Sequence, residues 1–283
     1  MTKITKINNL HIHNSNSSCC WNRYPIKVVY QEAKKAGLKF VGSSNHVYPP
    51  LKYPGAEGPE DQFQRHIEWT KEEIDALNTD IPFYLGCELD IIGDSGKHFL
   101  LPRYEKMVDY WIAGMHSYFS GDIIRREYTG DDREGFLEDY FEDWGTIAVD
   151  YIRQSKPNVF VHVFWQEFQC GLFHEKFMDE TMQRIFEAAS AAGTAIECSS
   201  LQIRERHPVA PYWLPNDPRG DHVQYFMKYY THVFEMVKES GCMVAFGSDA
   251  HKSWEIKDVI TIKNLLEKVG FADDDIFEPT KKN

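Results

Sequence analysis

Long apolar runs are missing from this sequence of 283 residues. A membrane-spanning helix needs about 18 consecutive apolar residues, and no stretch of the chain reaches that length. The first residues, 1–6, are not followed by the apolar core that is typical of a signal peptide. We therefore expect a cytoplasmic protein that has no contact with membranes.

Closely spaced cysteine pairs are also missing, because the six cysteines form no CxxC motif. Scattered cysteines in a chain of this size are typical of reduced thiols. A basic excess is absent too: 43 acidic residues outnumber 31 lysines and arginines, which gives a formal net charge of −12. Proteins that bind nucleic acids usually carry a basic face, so this charge argues against a nucleic-acid partner.

A glycine-rich phosphate loop does not follow the first predicted strand, which argues against a dinucleotide-binding open sheet. The chain instead alternates short apolar strands with amphipathic helices. Seven strands are predicted, at residues 6–10, 38–42, 82–89, 109–116, 158–163, 194–198 and 242–247. We expect one α/β domain over residues 1–283, with a tail beyond residue 271 that frays. A closed or nearly closed parallel barrel is favoured, with an open sheet as the alternative.

Histidine and carboxylate side chains recur where the predicted strands end. His11 and His13 alternate along one strand, so both imidazoles project to the same face. Eight groups able to bind metals lie at the ends of six strands: His11, His13, His46, Glu88, His116, His162, Asp249 and His251. Any one of them alone is more often structural, but strand ends converge on one face of a parallel barrel. Eight ligands exceed the needs of one tetrahedral ion, so the sequence predicts two or three divalent ions.

The motifs around these residues resemble those of the polymerase and histidinol phosphatase (PHP) family. The resemblance rests on His11-Ile12-His13, Asn45-His46, Gly86-Cys87-Glu88, His116, His162 and Ser248-Asp249-Ala250-His251, which occur in the family's order. In length and layout the chain is similar to the stand-alone histidinol-phosphate phosphatases. The resemblance implies a single-domain, distorted TIM-like (βα)7 barrel. It also implies two or three divalent ions, for which zinc, manganese and iron are all suited.

Carried over residue by residue, the resemblance implies a ligand set for each ion. The first ion would be held by His11, His13, Glu88 and Asp249. Glu88 would bridge to the second ion, which His116 and His162 also bind. The third would be held by His46, His251 and Cys19, and Cys19 stands where the family usually has Asp or His. Other departures are Asn9 for Asp, Ser44-Asn45-His46 for Thr-Asp-His, and His162-Val163 for His-Pro.

The chemistry implied by these ions is the hydrolysis of a phosphate ester. Neighbouring ions can share a water, lower its pKa and direct the resulting hydroxide at phosphorus. We expect a phosphoesterase that acts on a small phosphorylated metabolite, a monoester such as histidinol phosphate. Asp249 or His46 would pass a proton to the leaving group. Arg204 and Arg206, which follow the sixth strand, are candidates for binding the phosphate, with solvated loop charges as the alternative reading.

Other functions remain open at this stage. The same ions could serve a phosphodiesterase or a nucleotide-directed hydrolase of the PHP type. A metal-binding module without catalysis is the alternative that Cys19 and Asn45 leave open. An amidohydrolase-like activity on amides or lactones is disfavoured, because the strand ends offer no candidate for a carboxylated lysine.

Overall fold

The structure, a computed structural model, describes residues 3–17, 19–20, 22–47, 62–91, 100–115, 133–165, 167, 174–204 and 222–282. Within them lies one sheet of seven parallel strands, whose order in the sheet follows their order in the chain. The strands are β1 (Asn8–Asn9), β2 (Phe40–Val47), β3 (Phe83–Asp90), β4 (Tyr110–Gly114), β5 (Val159–Phe160), β6 (Ala195–Ser199) and β7 (Val244–Gly247). All seven correspond to predicted strands.

The first and last strands lie side by side. The N–H of Leu10 donates to the carbonyl of Phe246 at 3.0 Å, just beyond the end of β1. Further on, Ile12 and Ala250 form a parallel bridge. The sheet is therefore a nearly closed barrel. The predicted TIM-like (βα)7 fold is confirmed, and the open-sheet alternative is wrong.

Helices connect the strands. The α-helices are α1 (Ile26–Lys35), α2 (Thr70–Asp75), α3 (Pro102–Glu105), α4 (Arg133–Ser155), α5 (Glu175–Ala192), α6 (Ser200–Arg204), α7 (His222–Glu239) and α8 (Ile260–Val269). A π-helical segment, Gln64–Trp69, leads into α2, and a 3-10 segment, Ser253–Val259, leads into α8. Helix α6 follows β6 directly. Among the helices described, none has the length and apolarity that crossing a bilayer requires.

The barrel interior on the side where the strands begin is filled with apolar side chains. Leu10, Phe40, Tyr84, Tyr110 and Val159 belong to one buried cluster there. The hydroxyl of Tyr110, on β4, donates to the carbonyl of Leu10 at 2.5 Å, so this ring reaches across the interior. Close packing at this end leaves the carboxyl ends of the strands as the place where polar side chains gather.

The tail beyond residue 271 does not fray, contrary to the prediction. Phe271 is fully buried, and Phe277 joins the apolar cluster inside the barrel. The N–H of Phe277 donates to the carbonyl of Val244 at 2.8 Å, and Ile276 forms a parallel bridge with Val244. Burying these large apolar side chains at the base of the barrel stabilises the ordered tail, although charged residues surround them in the sequence.

Candidate metal centre

Eight of the nine predicted metal ligands, all but His116, lie among the described residues and converge at the carboxyl end of the barrel. Their donor atoms form three overlapping groups, and within each group the atoms lie within 4.8 Å of one another. The groups are His13, Cys19, His46 and His251; His11, Glu88 and His162; and His11, His13 and Asp249. His116 and Arg206 lie outside the described residues. Arg204 is the last residue of α6, and its side chain is not among those that the structure describes.

Glu88 lies at the centre of this arrangement and is fully buried. Its Oε2 is 3.1 Å from His11 Nε2, 3.3 Å from His13 Nε2 and 3.2 Å from His46 Nδ1. Its other oxygen, Oε1, is 3.1 Å from His162 Nε2. The parallel register pairs His46 directly with Glu88, so neighbouring strands deliver both side chains to the same place. One carboxylate thus faces four imidazoles.

Asp249 is the second acidic residue of the centre. Its Oδ1 lies 2.8 Å from His13 Nε2, 3.4 Å from His11 Nε2 and 3.4 Å from His251 Nδ1. Asp249 has a φ of 48°, and His162 has a φ of 35°. Residues other than glycine seldom adopt this left-handed backbone, and it is found disproportionately at functional sites. The surrounding hydrogen bonds hold both residues in this geometry.

Glu197, on β6, is a residue of the centre that the sequence analysis missed. It is buried, and its Oε1 lies 2.8 Å from Nδ1 of His11. Its Oε2 accepts a hydrogen bond of 2.9 Å from the backbone N–H of His162. A carboxylate flanked by Ile196 and Cys198 in an apolar strand was the available signal. An acidic side chain inside an apolar strand must be buried, so it needs a partner, and the same signal applies to Glu88.

Two glycines make room for these side chains. A Cβ on Gly247 would lie 1.7 Å from Glu197 Oε1, and a Cβ on Gly114 would lie 2.5 Å from His162 Cε1. Any larger residue at either position would therefore displace a side chain of the centre. The absence of a side chain at the ends of β7 and β4 is a requirement of the site.

His66, on the π-helical segment, is also closer to the centre than predicted. No pattern in the sequence indicated a function for it. Its ring is fully buried, and its Nδ1 contacts the backbone carbonyl of His46. The amide of Asn45 donates to the carbonyl of His66 at 3.3 Å and to Thr70 Oγ1 at 3.1 Å. The segment therefore fixes the backbone at the end of β2, and π-helical turns are frequent beside functional sites.

Charge in the centre is dominated by three buried carboxylates, those of Glu88, Glu197 and Asp249. Burial alone would lower the pKa of His11, but these carboxylates outweigh it and hold that pKa well above its ordinary value. Burial likewise opposes ionisation of Asp249, yet His11 and neighbouring imidazoles hold its pKa well below the ordinary range. For His13 burial dominates and lowers the pKa to about 4. The Asp249 carboxyl is thus held in its charged form, and this negative charge favours cations in the site.

Divalent ions fit these residues. Imidazole and carboxylate donors together suit zinc, manganese and iron, and buried carboxylates of this kind need cations beside them. Nδ1 of His13 is buried and has no hydrogen-bond partner among the described residues, so this nitrogen is available to bind a metal ion. Nδ1 of His11 donates to Glu197, so Nε2 is the nitrogen that faces Glu88 and would bind an ion there in place of its proton, the usual arrangement around a ligating histidine.

Known proteins resemble this chain in structure but not in sequence. No protein-family model and no curated protein sequence matches the chain. The histidinol phosphate phosphatase of Lactococcus lactis, solved with zinc, L-histidinol and phosphate, superposes with a TM-score of 0.62 at 17% identity, over 94% of each chain. A candidate histidinol phosphatase of Listeria monocytogenes superposes with a TM-score of 0.56 at 14% identity, over 88% of this chain and 97% of that one. The resemblance found in the motifs is therefore confirmed as a shared fold.

Proposed function

From the fold that this chain shares with histidinol phosphate phosphatases, we propose that it is a metal-dependent phosphoesterase of the PHP type. The supporting observation is the buried Glu88 carboxylate, which faces the four imidazoles of His11, His13, His46 and His162. Bound there, divalent ions would lower the pKa of a water and neutralise the charge on phosphate oxygens.

The proposed ligands are the predicted ones. They are His11, His13, Cys19, His46, Glu88, His116, His162, Asp249 and His251, for two or three ions of zinc, manganese or iron. Glu88 offers one oxygen to His11, His13 and His46 and the other to His162, an arrangement that suits a bridging carboxylate. Glu197 binds no ion in this proposal, and it fixes which nitrogen of His11 faces the ions.

Other residues would handle the proton and the phosphate. Asp249 Oδ1 and the ring of His46 are the proposed sites from which a proton reaches the leaving oxygen. Arg204 and Arg206 are the proposed donors to the phosphate, since they follow β6 at the end of the barrel where the centre lies.

The proposed substrate is a small phosphate monoester such as histidinol phosphate. The support is the Lactococcus protein, which shares the fold and was solved with L-histidinol and phosphate. A cytoplasmic location belongs to the same proposal, and the five described cysteines are free thiols, as is usual in a reducing compartment.

The test is hydrolysis by the purified protein after its metal content has been measured. We expect p-nitrophenyl phosphate to be cleaved with zinc or manganese, and bis-p-nitrophenyl phosphate to be cleaved much more slowly. Phosphate release from L-histidinol phosphate and other phosphorylated metabolites then identifies the substrate. Glu88→Gln should abolish turnover, while Glu187→Gln, on the exposed face of α5, serves as the matched control.

The outcomes separate the alternatives. Faster cleavage of the diester would favour a phosphodiesterase or a nucleotide-directed hydrolase. Bound metal without cleavage of any ester would leave a metal-binding module. A purified protein that neither holds nor binds divalent ions would overturn the proposal.

A further inference from the structure

Four donors around Cys19 form a group of their own, here called the thiol cluster: His13, Cys19, His46 and His251. Their donor atoms all lie within 4.8 Å of one another. The ring of His13 stands between the other two imidazoles, with ring centroids 4.6 Å from His46 and 4.4 Å from His251. The ring of His11 is further from His13, at 5.2 Å. His13 is thus packed into the thiol cluster more closely than against His11.

The size of the thiol cluster suits one tetrahedral ion. Bonds of roughly 2.0–2.3 Å from zinc to nitrogen and sulfur place tetrahedral ligand atoms about 3.3–3.8 Å apart. The present separations are at most 4.8 Å, so small side-chain movements would bring the four atoms onto a common ion. Three imidazoles with one thiolate supply four nitrogen and sulfur ligands, the number and kind that a closed tetrahedral zinc site uses, whereas the set around Glu88 is rich in carboxylates.

Hydrogen bonds around the thiol cluster direct lone pairs toward such an ion. Nδ1 of His251 donates to the carbonyl of Asp249 at 3.0 Å, which leaves Nε2 as the lone pair. Nδ1 of His13 is buried with no hydrogen-bond partner in the described part of the chain. The hydroxyl of Ser17 lies 3.0 Å from Cys19 Sγ, where it can donate to a thiolate. His13, Cys19 and His251 can therefore each offer one ligand atom to a cation.

We propose that Cys19 converts the third metal position into a closed, thiophilic site that selects zinc over manganese. In this arrangement His13 joins the third ion instead of the first, and substrate is handled at His11, Glu88 and His162. Two properties of the site support this proposal: the number of its protein ligands and their chemical softness. Thiolate and imidazole favour zinc over the harder ions, and four protein ligands leave no position for phosphate. This inference rests on the proposed function only in taking the centre to hold metal ions. Of the two proposed proton donors it keeps Asp249, because His46 is then a ligand of the closed site.

The test uses cobalt(II) as a spectroscopic substitute for zinc in the full-length protein. A thiolate bound to cobalt gives an intense sulfur-to-metal charge-transfer band in the near ultraviolet, which imidazoles and carboxylates do not give. We expect this band on loading the wild type, with tetrahedral cobalt bands in the visible. Cys19→Ser should lose the charge-transfer band and one equivalent of tightly bound zinc. The matched control is Cys20→Ser, the neighbouring buried thiol, which should keep both.

Selectivity gives a second readout. Zinc-loaded wild type dialysed against excess manganese should keep one zinc per chain, whereas Cys19→Asp should exchange that zinc for manganese. Cobalt bound by the wild type without a charge-transfer band would overturn the inference and leave the phosphoesterase proposal standing. A band that survives in Cys19→Ser would overturn it as well. A wild type that binds no cobalt would overturn both proposals.

Discussion

Glu197 and His11 are joined by a buried contact in which Oε1 of the glutamate lies 2.8 Å from Nδ1 of the imidazole. The carboxylate can only accept, so Nδ1 carries a proton, and Nε2 is the nitrogen that faces Glu88 and would bind an ion there. The same glutamate holds the backbone N–H of His162. One side chain on β6 therefore orients two ligands from two other parts of the barrel.

The first prediction concerns Glu197→Gln. An amide N–H would donate to His11 Nδ1, which moves the ring proton to Nε2, where it faces Glu88. We expect zinc affinity to fall by roughly 10–100-fold, the usual effect of removing a carboxylate behind a ligating histidine. Competition with a chelating dye measures this affinity, and Glu187→Gln on α5 is the matched control. Unchanged zinc affinity would show that Glu197 does not orient His11.

The second prediction concerns Gly247→Ala. The new methyl group would lie 1.7 Å from Glu197 Oε1, and the three nearest atoms all belong to Glu197. We expect the free energy of unfolding to fall by about 1–3 kcal/mol, as is usual for overpacking, together with weaker zinc binding. Thermal and denaturant unfolding of the metal-free protein measure the change.

A double-mutant cycle provides the control for that clash. In a Glu197→Ala background the methyl group of Gly247→Ala has space, so its effect on unfolding should largely disappear. Equal destabilisation in both backgrounds would mean that another contact is responsible.

The third prediction concerns removal of divalent ions. Chelation should lower the melting temperature, because the carboxylates of Glu88, Glu197 and Asp249 stay buried close to one another. Adding zinc back should restore the melting temperature. In Glu88→Gln the shift on chelation should be smaller, since the proposed bridging ligand is gone. Identical melting curves with and without ions would contradict the prediction.

The fourth prediction concerns the pH dependence of stability through Asp273. Desolvation alone would raise the pKa of this carboxyl, but hydrogen bonds from Thr5 and Lys6 hold it below its ordinary value. Its Oδ1 accepts the N–H of Thr5 at 2.6 Å and that of Lys6 at 2.9 Å, which ties the start of the chain to its end. Because the folded pKa is lowered, its stabilisation is present above the unfolded pKa and is lost as pH falls through the folded pKa.

Asp273→Asn should accordingly destabilise the protein at neutral pH, and the destabilisation should shrink as pH falls below the unfolded pKa of about 3.9. Denaturant unfolding across this pH range measures the difference, with Asp274→Asn, an exposed neighbour, as the control. A destabilisation that does not change with pH would refute this role for the Asp273 carboxylate.

Much of the candidate site was within reach of the sequence because its residues follow apolar strands. Glu88 stood out as a carboxylate directly after Leu85-Gly86-Cys87, and the structure buries it completely. Glu197 has the same setting in β6, but no neighbouring histidine drew attention to it. His66 could not be found in this way, because its contact with His46 depends on how a π-helical segment packs against β2.

The order of the residues is enough to specify the alternation of strands and helices and to show which strands end in imidazoles and carboxylates. Both are local properties, since the spacing of apolar residues and the polarity of each side chain can be read from short stretches of the chain. Three features depend on the folded barrel: β1 lies beside β7, Phe277 packs at the base of the barrel, and Glu197 accepts a hydrogen bond from His11. Those contacts join segments far apart in the chain, and their energy comes from burial and hydrogen bonding that exist only once the barrel has formed.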